Sequence, residues 1–316
     1  MRMFKRWAML AVGIVALSSL TAWGSRPSPL VRSHSPSAIR IGGIFVMSGD
    51  PTLVSLPILN GYELGFRQAN AGGGVHGHQI DYLTQDDGYD PSKTTSAARK
   101  LVENDGVLAM AGVFGSDDSN ALIPYLDAQK VPFVDPIGGG ANVAGKSWVW
   151  QSEPSYSLEG KVIGDYLAAK LHVHKVAVVY QTGANEPENA AIKAVFGPKH
   201  ISMITVPYGA NAQDMSSQVS QVQGYNPNIA VLLGTPLPTS IFVKDAAAIG
   251  YKPPKGYLAN YPEGDPGWLG ITAGDANGSL VSSYADLTGN NPVAKAYKAA
   301  IKKFGKNGKY NGFAYS

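Results

Sequence analysis

The sequence predicts an α/β fold made of two lobes, each a doubly wound parallel sheet with helices on both faces. Short apolar runs alternate with amphipathic segments along the chain, as strands and helices do in such a sheet. The alternation restarts near residue 155, and 316 residues are enough for two domains. Ligands of such sheets bind beside the carboxyl ends of the strands, so the loops that follow the strands should carry the function.

The individual elements follow from local signals. The run at 229–233 is apolar throughout, as expected for a strand covered on both faces. Pro91 marks a helix start, and three glycines at 72–74 mark a helix end. The predicted strands span 39–46, 79–84, 107–113, 131–134, 175–180, 201–206, 229–233, 257–259 and 279–283. The predicted helices span 59–71, 91–104, 119–129, 158–171, 188–196, 212–223 and 238–249.

The beginning of the chain is typical of an exported protein. Residues 1–24 read as a secretory signal peptide, because basic residues precede a short apolar run and a stretch of small residues. Its end resembles a bacterial lipoprotein cleavage box, but Trp23 stands where the lipid-bearing Cys would be. Residues 25–37 are predicted to be a linker. We therefore expect the protein in the periplasm or at the exterior of the cell envelope.

The composition excludes several functional classes. The chain has no Cys, which excludes disulfides, Cys-ligated metals and Cys nucleophiles. Loss of residues 1–24 removes three of the 26 basic residues and none of the 23 acidic ones, so the mature chain is formally neutral. The charge therefore gives no reason to expect a nucleic-acid partner.

No sequence motif assembles an enzyme site. The GxGxxG pattern at 72–77 lies between a predicted helix and a predicted strand, the reverse of a dinucleotide fingerprint, and indicates a helix stop and a turn. Two His-x-His pairs fall at helix-to-strand turns and are expected at the surface. Asp86 and Asp87 could act as paired catalytic carboxylates, but turn formation and helix capping explain them. We predict no catalytic residue, no metal site and no cofactor.

Two polar residues follow predicted strands and could contact a ligand. Ser116 precedes a helix, where a hydroxyl and free amides can receive a carboxylate or phosphate. The same Ser could simply cap that helix, and both interpretations stay open. Glu263 lies where a strand leads into a loop, and a carboxylate in a cleft suits an ammonium group. From the residues alone, an ordinary solvated Glu is the simpler interpretation.

A series of short motifs runs from Ile39 to the end of the chain in a specific order and spacing. The motifs are Ile41-Gly42-Gly43, Ser48-Gly49, Asn60-Gly61-Tyr62-Glu63, residues 68–77, Asp86-Asp87-Gly88-Tyr89-Asp90-Pro91, Val113-Phe114-Gly115-Ser116, Pro132-Phe133-Val134-Asp135-Pro136, Pro262-Glu263-Gly264 and Ala273-Gly274-Asp275-Ala276. With these motifs the chain resembles the periplasmic leucine/isoleucine/valine-binding proteins, the extracytoplasmic receptors of branched-chain amino acid ABC transporters.

This resemblance implies the type I periplasmic binding protein architecture, in which a hinge of several strands joins the two lobes. The implied boundaries are 38–153 for lobe 1, 154–288 for lobe 2 and 289–316 for a return to lobe 1. The family continues with further helix and strand, so we expect the chain to be truncated at its C-terminus.

The resemblance also implies a ligand site between the lobes. Ser116 matches the family's carboxylate-binding Ser and Glu263 its ammonium-binding Glu, whereas Gly139 stands where a Thr hydroxyl is usual. Val54, Asn185 and Pro236 stand near positions where aromatic residues are common, so we expect the pocket walls to differ from the family's and to suit a smaller, more polar or differently shaped ligand than leucine or valine. The implied site residues are Ser48, Gly49, Phe114, Ser116, Ile137, Gly138, Gly139, Asn185, Pro236 and Glu263.

These inferences predict a monomeric, non-enzymatic solute-binding receptor of an ABC importer. Its expected partners are a small-molecule ligand, an amino acid or a related small polar metabolite, and a membrane permease. A sensory module that feeds a signalling partner is an alternative, which a partner domain or neighbouring genes would identify. An exported hydrolase or transferase is a further alternative, which turnover of a substrate would identify.

Overall fold

The computed structural model describes residues 38–48, 52–264, 266–284 and 290–305. The predictions for the signal peptide at 1–24, the linker at 25–37 and the site residue Gly49 lie outside these residues. The described residues belong to one compact unit, Pro36–Ser316. None of their helices is both long and apolar enough to cross a membrane.

The first sheet contains five parallel strands in the order β2-β1-β3-β4-β5. It forms the core of the first lobe. The strands are β1 Ile39–Phe45, β2 Ile80–Asp86, β3 Ala109–Phe114, β4 Phe133–Ile137 and β5 Val149–Trp150. The helices between them are α1 Thr52–Ala71, α2 Pro91–Arg99, which continues into a π-helical turn at Lys100–Asn104, and α3 Ser116–Gln129.

The second sheet repeats this plan with five parallel strands in the order β10-β9-β8-β6-β7, and forms the core of the second lobe. The strands are β6 Lys175–Gln181, β7 Ser202–Tyr208, β8 Ile229–Leu233, β9 Tyr257–Ala259 and β10 Leu280–Val281. The helices are α4 Tyr156–Ala169, α5 Glu186–Phe196, α6 Ser216–Tyr225, α7 Pro236–Ala248 and α8 Pro266–Thr272, and 3₁₀ turns lie at Gly197–Lys199 and Tyr261–Gly264. The predicted fold class is confirmed.

Apolar burial on both faces explains why each sheet is stable. All five residues of β8 are buried, and complete burial of each Ile, Val or Leu side chain among them contributes about 1.5–3 kcal/mol. Phe242 on α7 packs on one face of the second sheet, and Phe196 on α5 packs on the other. In the first sheet, Met110 and Phe133 pack with α3 on one face.

Several predicted bounds were wrong. The first helix begins at Thr52 rather than at 59, and Pro57 lies inside it. The two-residue strand β5 and the helices α8 and α9, Pro292–Phe304, were not predicted. The predicted helix stop at 72–74 is confirmed, because α1 ends at Ala71 and a turn follows.

The strand order decides where a ligand site can form. In both sheets the order reverses beside the first strand of the lobe, between β1 and β3 and between β6 and β8. The loops that leave the carboxyl ends of two such strands run in opposite directions and leave a crevice.

Candidate functional site

A small cavity lies where the two crevices face each other. Its volume is about 30 Å³, enough for very few atoms. Phe114 ends β3, Gln181 ends β6 and Gly234 follows β8, so both crevices contribute to its wall. Its lining residues are Val54, Tyr89, Phe114, Gly115, Ser116, Ile137, Gly138, Tyr156, Gln181, Ala184, Asn185, Gly234, Thr235, Tyr261 and Pro262.

The first lobe contributes two loops that are tied together. The amide of Gly115 donates to the carbonyl of Ile137 at 2.9 Å. The hydroxyl of Ser116 accepts from the amide of Gly140 at 3.1 Å. Gly138 has φ +120°, and a Cβ there would lie 2.6 Å from the Ser116 hydroxyl, so only glycine fits. Ser116 therefore holds the loop after β4 against the start of α3.

The two lobes touch each other across this cavity. The side-chain amide of Gln181, from the second lobe, donates to the Tyr89 hydroxyl of the first lobe at 3.2 Å. A Cβ on Gly140 would lie 2.4 Å from the carbonyl oxygen of Ala184. One apolar cluster joins residues of both lobes: Phe45, Val46, Val54, Leu59, Phe114, Ile137, Tyr156, Ala184 and Tyr261. The cleft is therefore closed.

Buried carboxyl groups lie beside the second-lobe wall. Asn185, which lines the cavity, donates to Glu188 at 2.9 Å, and Asn260 donates to the same oxygen at 3.3 Å. Glu263 accepts from the Thr239 hydroxyl at 2.8 Å. Burial raises the pKa values of both Glu188 and Glu263 well above their usual range. The second oxygen of each carboxyl is buried without a hydrogen-bond partner.

A second carboxyl pair lies behind the first-lobe wall. The Thr94 hydroxyl lies 2.7 Å from Asp87, 2.8 Å from Asp118 and 2.9 Å from the carbonyl of Asp90. The Thr94 hydroxyl has one proton and can donate it to only one of these three oxygens. A carboxyl group that instead donates to this hydroxyl must itself be protonated. Burial, reinforced by Asp87, raises the pKa of Asp118 to about 7.

The acidic residues at the end of β2 and directly after it stabilise the following turn, as predicted from the sequence. Asp86 accepts from the amide of Gly88 at 3.0 Å, and Asp87 accepts from the amide of Tyr89 at 3.1 Å. Asp90 caps α2 through the amide of Ser92. Among the described residues, no group of three or more His, Asp or Glu is arranged to hold a metal ion.

The predicted site residues separate into two groups. Five of them line the cavity: Phe114, Ser116, Ile137, Gly138 and Asn185. Four described ones do not: Ser48, Gly139, Pro236 and Glu263. Gly139 packs instead against Tyr156, whose amide donates to its carbonyl at 2.8 Å. Ligand contact by any of the ten stays a prediction.

Sequence reasoning missed the aromatic walls. Tyr89, Tyr156 and Tyr261 all line the cavity and are largely buried. Tyr89 and Tyr261 do stand in loops directly after strands, a position that could have pointed to them. Tyr156 begins α4, which was predicted to start only at 158.

A larger groove lies away from these strand ends. It has a volume of about 420 Å³ and runs between α4 and β10 on the second lobe. Its walls are mostly apolar and include the exposed side chains of Leu158, Val162 and Leu280. Since it lies at the lateral edge of the sheet, it is not the crevice expected of this topology.

Comparison with known proteins identifies the kind of fold. A family model described as periplasmic binding protein matches residues 38–316. The Leu/Ile/Val-binding protein homolog 7 of Brucella suis is 23% identical over 282 residues, which cover 85% of this chain. The chain spans 66% of that relative's length.

Solved structures share the architecture. A leucine-binding protein from Thermotoga maritima superposes with a TM-score of 0.79 at 20% identity and covers 88% of this chain and 79% of its own. A fatty acid ABC transporter substrate-binding protein from Thermomonospora curvata gives a TM-score of 0.78 at 20% identity, with coverages of 88% and 72%. These neighbours differ in the ligand they are named for, so the likeness establishes the fold and leaves the ligand open.

Proposed function

This chain belongs to the periplasmic binding protein family, and we propose that it is the extracytoplasmic solute-binding receptor of an ABC importer. The proposal includes export to the periplasm or the envelope exterior, a monomeric state and delivery to a membrane permease. It also includes the lobe boundaries at 153/154 and 288/289. The family consists of solute-binding proteins, and the described residues offer no assembled nucleophile and base, so no chemical step is proposed.

The observation that carries the proposal is the closed cavity between the two crevices. Loops from the carboxyl ends of both sheets line it, and the described side chains among them are uncharged. Hydroxyls, amides and aromatic rings in such a wall suit a small polar ligand, because they offer hydrogen bonds and flat apolar surface together. The proposed ligand is an amino acid or a related small polar metabolite.

Closure of the two lobes is the proposed mechanism. The ligand binds the first lobe at Ser116 and the loop that contains Gly138, and the second lobe then closes with Gln181 and Asn185. A cavity of about 30 Å³ is too small for most amino acids, so the bound form must close less far than this one. The permease would recognise the ligand-closed form.

Glu263 is proposed to attract the ligand's ammonium group. One of its oxygens is bonded to Thr239, and the other is buried without a partner, so it can accept one more hydrogen bond. Burial of the ionised carboxylate without a neighbouring positive charge costs free energy. The ammonium group of a ligand would lower that cost.

A thermal-shift screen tests the proposal. A ligand that binds only the folded chain raises the unfolding midpoint by mass action. We expect one class among amino acids, amides, short-chain acids and sugars to raise it, and the dissociation constant then follows from calorimetry.

Matched variants locate the binding site. Gln181→Ala should weaken binding of the compound found, because Gln181 lines the cavity. Gln221→Ala is the control, since Gln221 is exposed on α6. Equal affinities of the two variants would refute the cleft as the site, and turnover of the compound would refute the receptor function.

A further inference from the structure

The segment that connects the first sheet to the second makes two hydrogen bonds to the backbone of Gly138, in a loop of the cleft. This segment runs from the end of β5 at Trp150 to the start of α4 at Tyr156. The carboxylate of Glu153 accepts from the amide of Gly138 at 2.7 Å. The side-chain amide of Gln151 donates to the carbonyl of Gly138 at 3.0 Å. Gly138 lines the cavity, so the crossing segment fixes part of the cleft wall.

The other oxygen of Glu153 contacts the opposite wall. It accepts from the hydroxyl of Tyr261 at 2.6 Å and from that of Tyr284 at 3.1 Å. Tyr261 follows β9 and lines the cavity from the second lobe, and Tyr284 follows β10. The two rings lie 4.8 Å apart between centroids. The carboxyl group of Glu153, in the segment between β5 and α4, thus contacts the first-lobe wall at Gly138, the second-lobe wall at Tyr261, and Tyr284 after β10.

We propose that Glu153 is a positioning residue that couples the hinge to the cleft by holding Gly138 and Tyr261 in the closed arrangement. The inference rests on the proposed closure of the lobes. When the lobes separate, Tyr261 withdraws with the second lobe, and water reaches the carboxyl group in its place. Protonation of Glu153 and closure of the cleft are therefore linked.

The surroundings of Glu153 set the direction of this linkage. Burial and the negative charge of Asp135 raise its pKa, hydrogen bonds from Tyr261, Gly138 and Tyr284 lower it, and the result is about 7. The titratable groups that interact with it, among those described, are Asp135 on β4, Tyr62 on α1, Tyr156 on α4, Tyr261 and Tyr284. The closed form thus binds the proton more tightly than a form in which the carboxyl is hydrated.

The expected effect follows from the two proton affinities. A hydrated Glu has a pKa of about 4.3, against about 7 in the closed form. Between pH 8 and pH 5.5 the ratio of closed to open molecules should rise about 30-fold. The effect needs no ligand, so its failure would leave the receptor proposal untouched.

Two measurements on the ligand-free protein test this inference. The amide proton of Gly138 reports directly on the carboxyl that it contacts, so its chemical shift should titrate with a midpoint near pH 7. Small-angle scattering should give a smaller radius of gyration at pH 5.5 than at pH 8. Both responses should vanish in Glu153→Gln and persist in Glu103→Gln, which changes an exposed carboxyl.

A second variant, Tyr261→Phe, tests the inference even if Glu153→Gln fails to fold. Tyr261→Phe keeps the ring and removes one donor to Glu153, so the midpoint of the Gly138 titration should move upward. A midpoint near pH 4.3, or one unchanged in both variants, would overturn the inference. A midpoint near 7 with a radius of gyration independent of pH would also overturn it, because Glu153 would then titrate without governing closure.

Discussion

Lowering the pH from 8 to 5.5 should stabilise the fold, because buried carboxyl groups bind protons more tightly in the folded chain than in the unfolded chain. Burial raises the pKa values of Asp118 and Glu153 to about 7. Groups with a raised folded-state pKa contribute stability that grows as the pH falls through that value, and the contribution is complete below the unfolded pKa near 4. Glu188 and Glu263, whose pKa values burial also raises, act in the same direction.

The magnitude follows from the two groups with a pKa of about 7. Each should add about 2 kcal/mol to the free energy of unfolding between pH 8 and pH 5.5, since its unfolded pKa is about 4. Together they give about 4 kcal/mol. In a chain of this size, each kcal/mol of stability raises the melting temperature by about 2 °C. The contribution of these two groups therefore corresponds to a rise of roughly 8 °C in the melting temperature.

Circular dichroism melts at four pH values between 8 and 5.5 measure this effect. Asp118→Asn is the informative variant, because an amide can donate to Thr94 at every pH and should remove the share of about 2 kcal/mol that Asp118 contributes. A melting temperature that is flat or that falls on acidification would refute the reasoning. If Asp118→Asn leaves the pH dependence of the melting temperature unchanged, Asp118 does not contribute to that dependence.

Three further predictions concern single side chains. Glu263→Ala should weaken binding of the ligand found by thermal shift by about 2–5 kcal/mol, measured by calorimetry, if Glu263 receives its ammonium group. Gly140→Ala should enlarge the radius of gyration of the ligand-free protein in small-angle scattering, because the new Cβ meets the carbonyl of Ala184 at 2.4 Å and opposes full closure. Ser55→Ala should lower the free energy of unfolding in urea by about 1–3 kcal/mol, because the buried amide of Val46 loses its acceptor at 2.9 Å.

Each of these variants has a control and a contrary outcome. Gly65→Ala places a Cβ in open space and should leave the radius of gyration unchanged, so equal effects of the two Gly variants would contradict the closure argument. Ser96→Ala removes an exposed hydroxyl and should change stability by at most about 0.5 kcal/mol. An unchanged dissociation constant in Glu263→Ala would show that Glu263 does not bind the ligand's ammonium group.

Much of the fold could be predicted from the sequence, because its strands are short apolar runs. The run at β8 is apolar throughout and was placed without error. The start of α1 was missed: the predicted helix began at 59, whereas α1 begins at Thr52 and continues through Pro57. The strand β5 has only two residues, too few to show any periodicity.

Part of the cavity wall lies at positions that the family resemblance implied. Ser116 begins α3 and Gly138 follows β4, and both line the cavity. Tyr261 and Gln181 lie equally close to strand ends, but nothing in the residue type marks them as cavity walls. Glu263 was expected at a loop exit, and its burial behind the wall depends on Thr239 and on helix packing that the local sequence does not express.

The edges of the two sheets have a consequence for self-association. Within the part of the chain that the structure describes, each sheet ends on one side in a two-residue strand, β5 or β10, which offers another chain very few backbone groups. The edge strand β7 carries Pro207, which has no amide to donate. Of the four edges that the described strands form, three thus discourage the addition of a foreign strand. Among these strands, β2 is the edge most open to strand addition, and Asp81 adds a charge there.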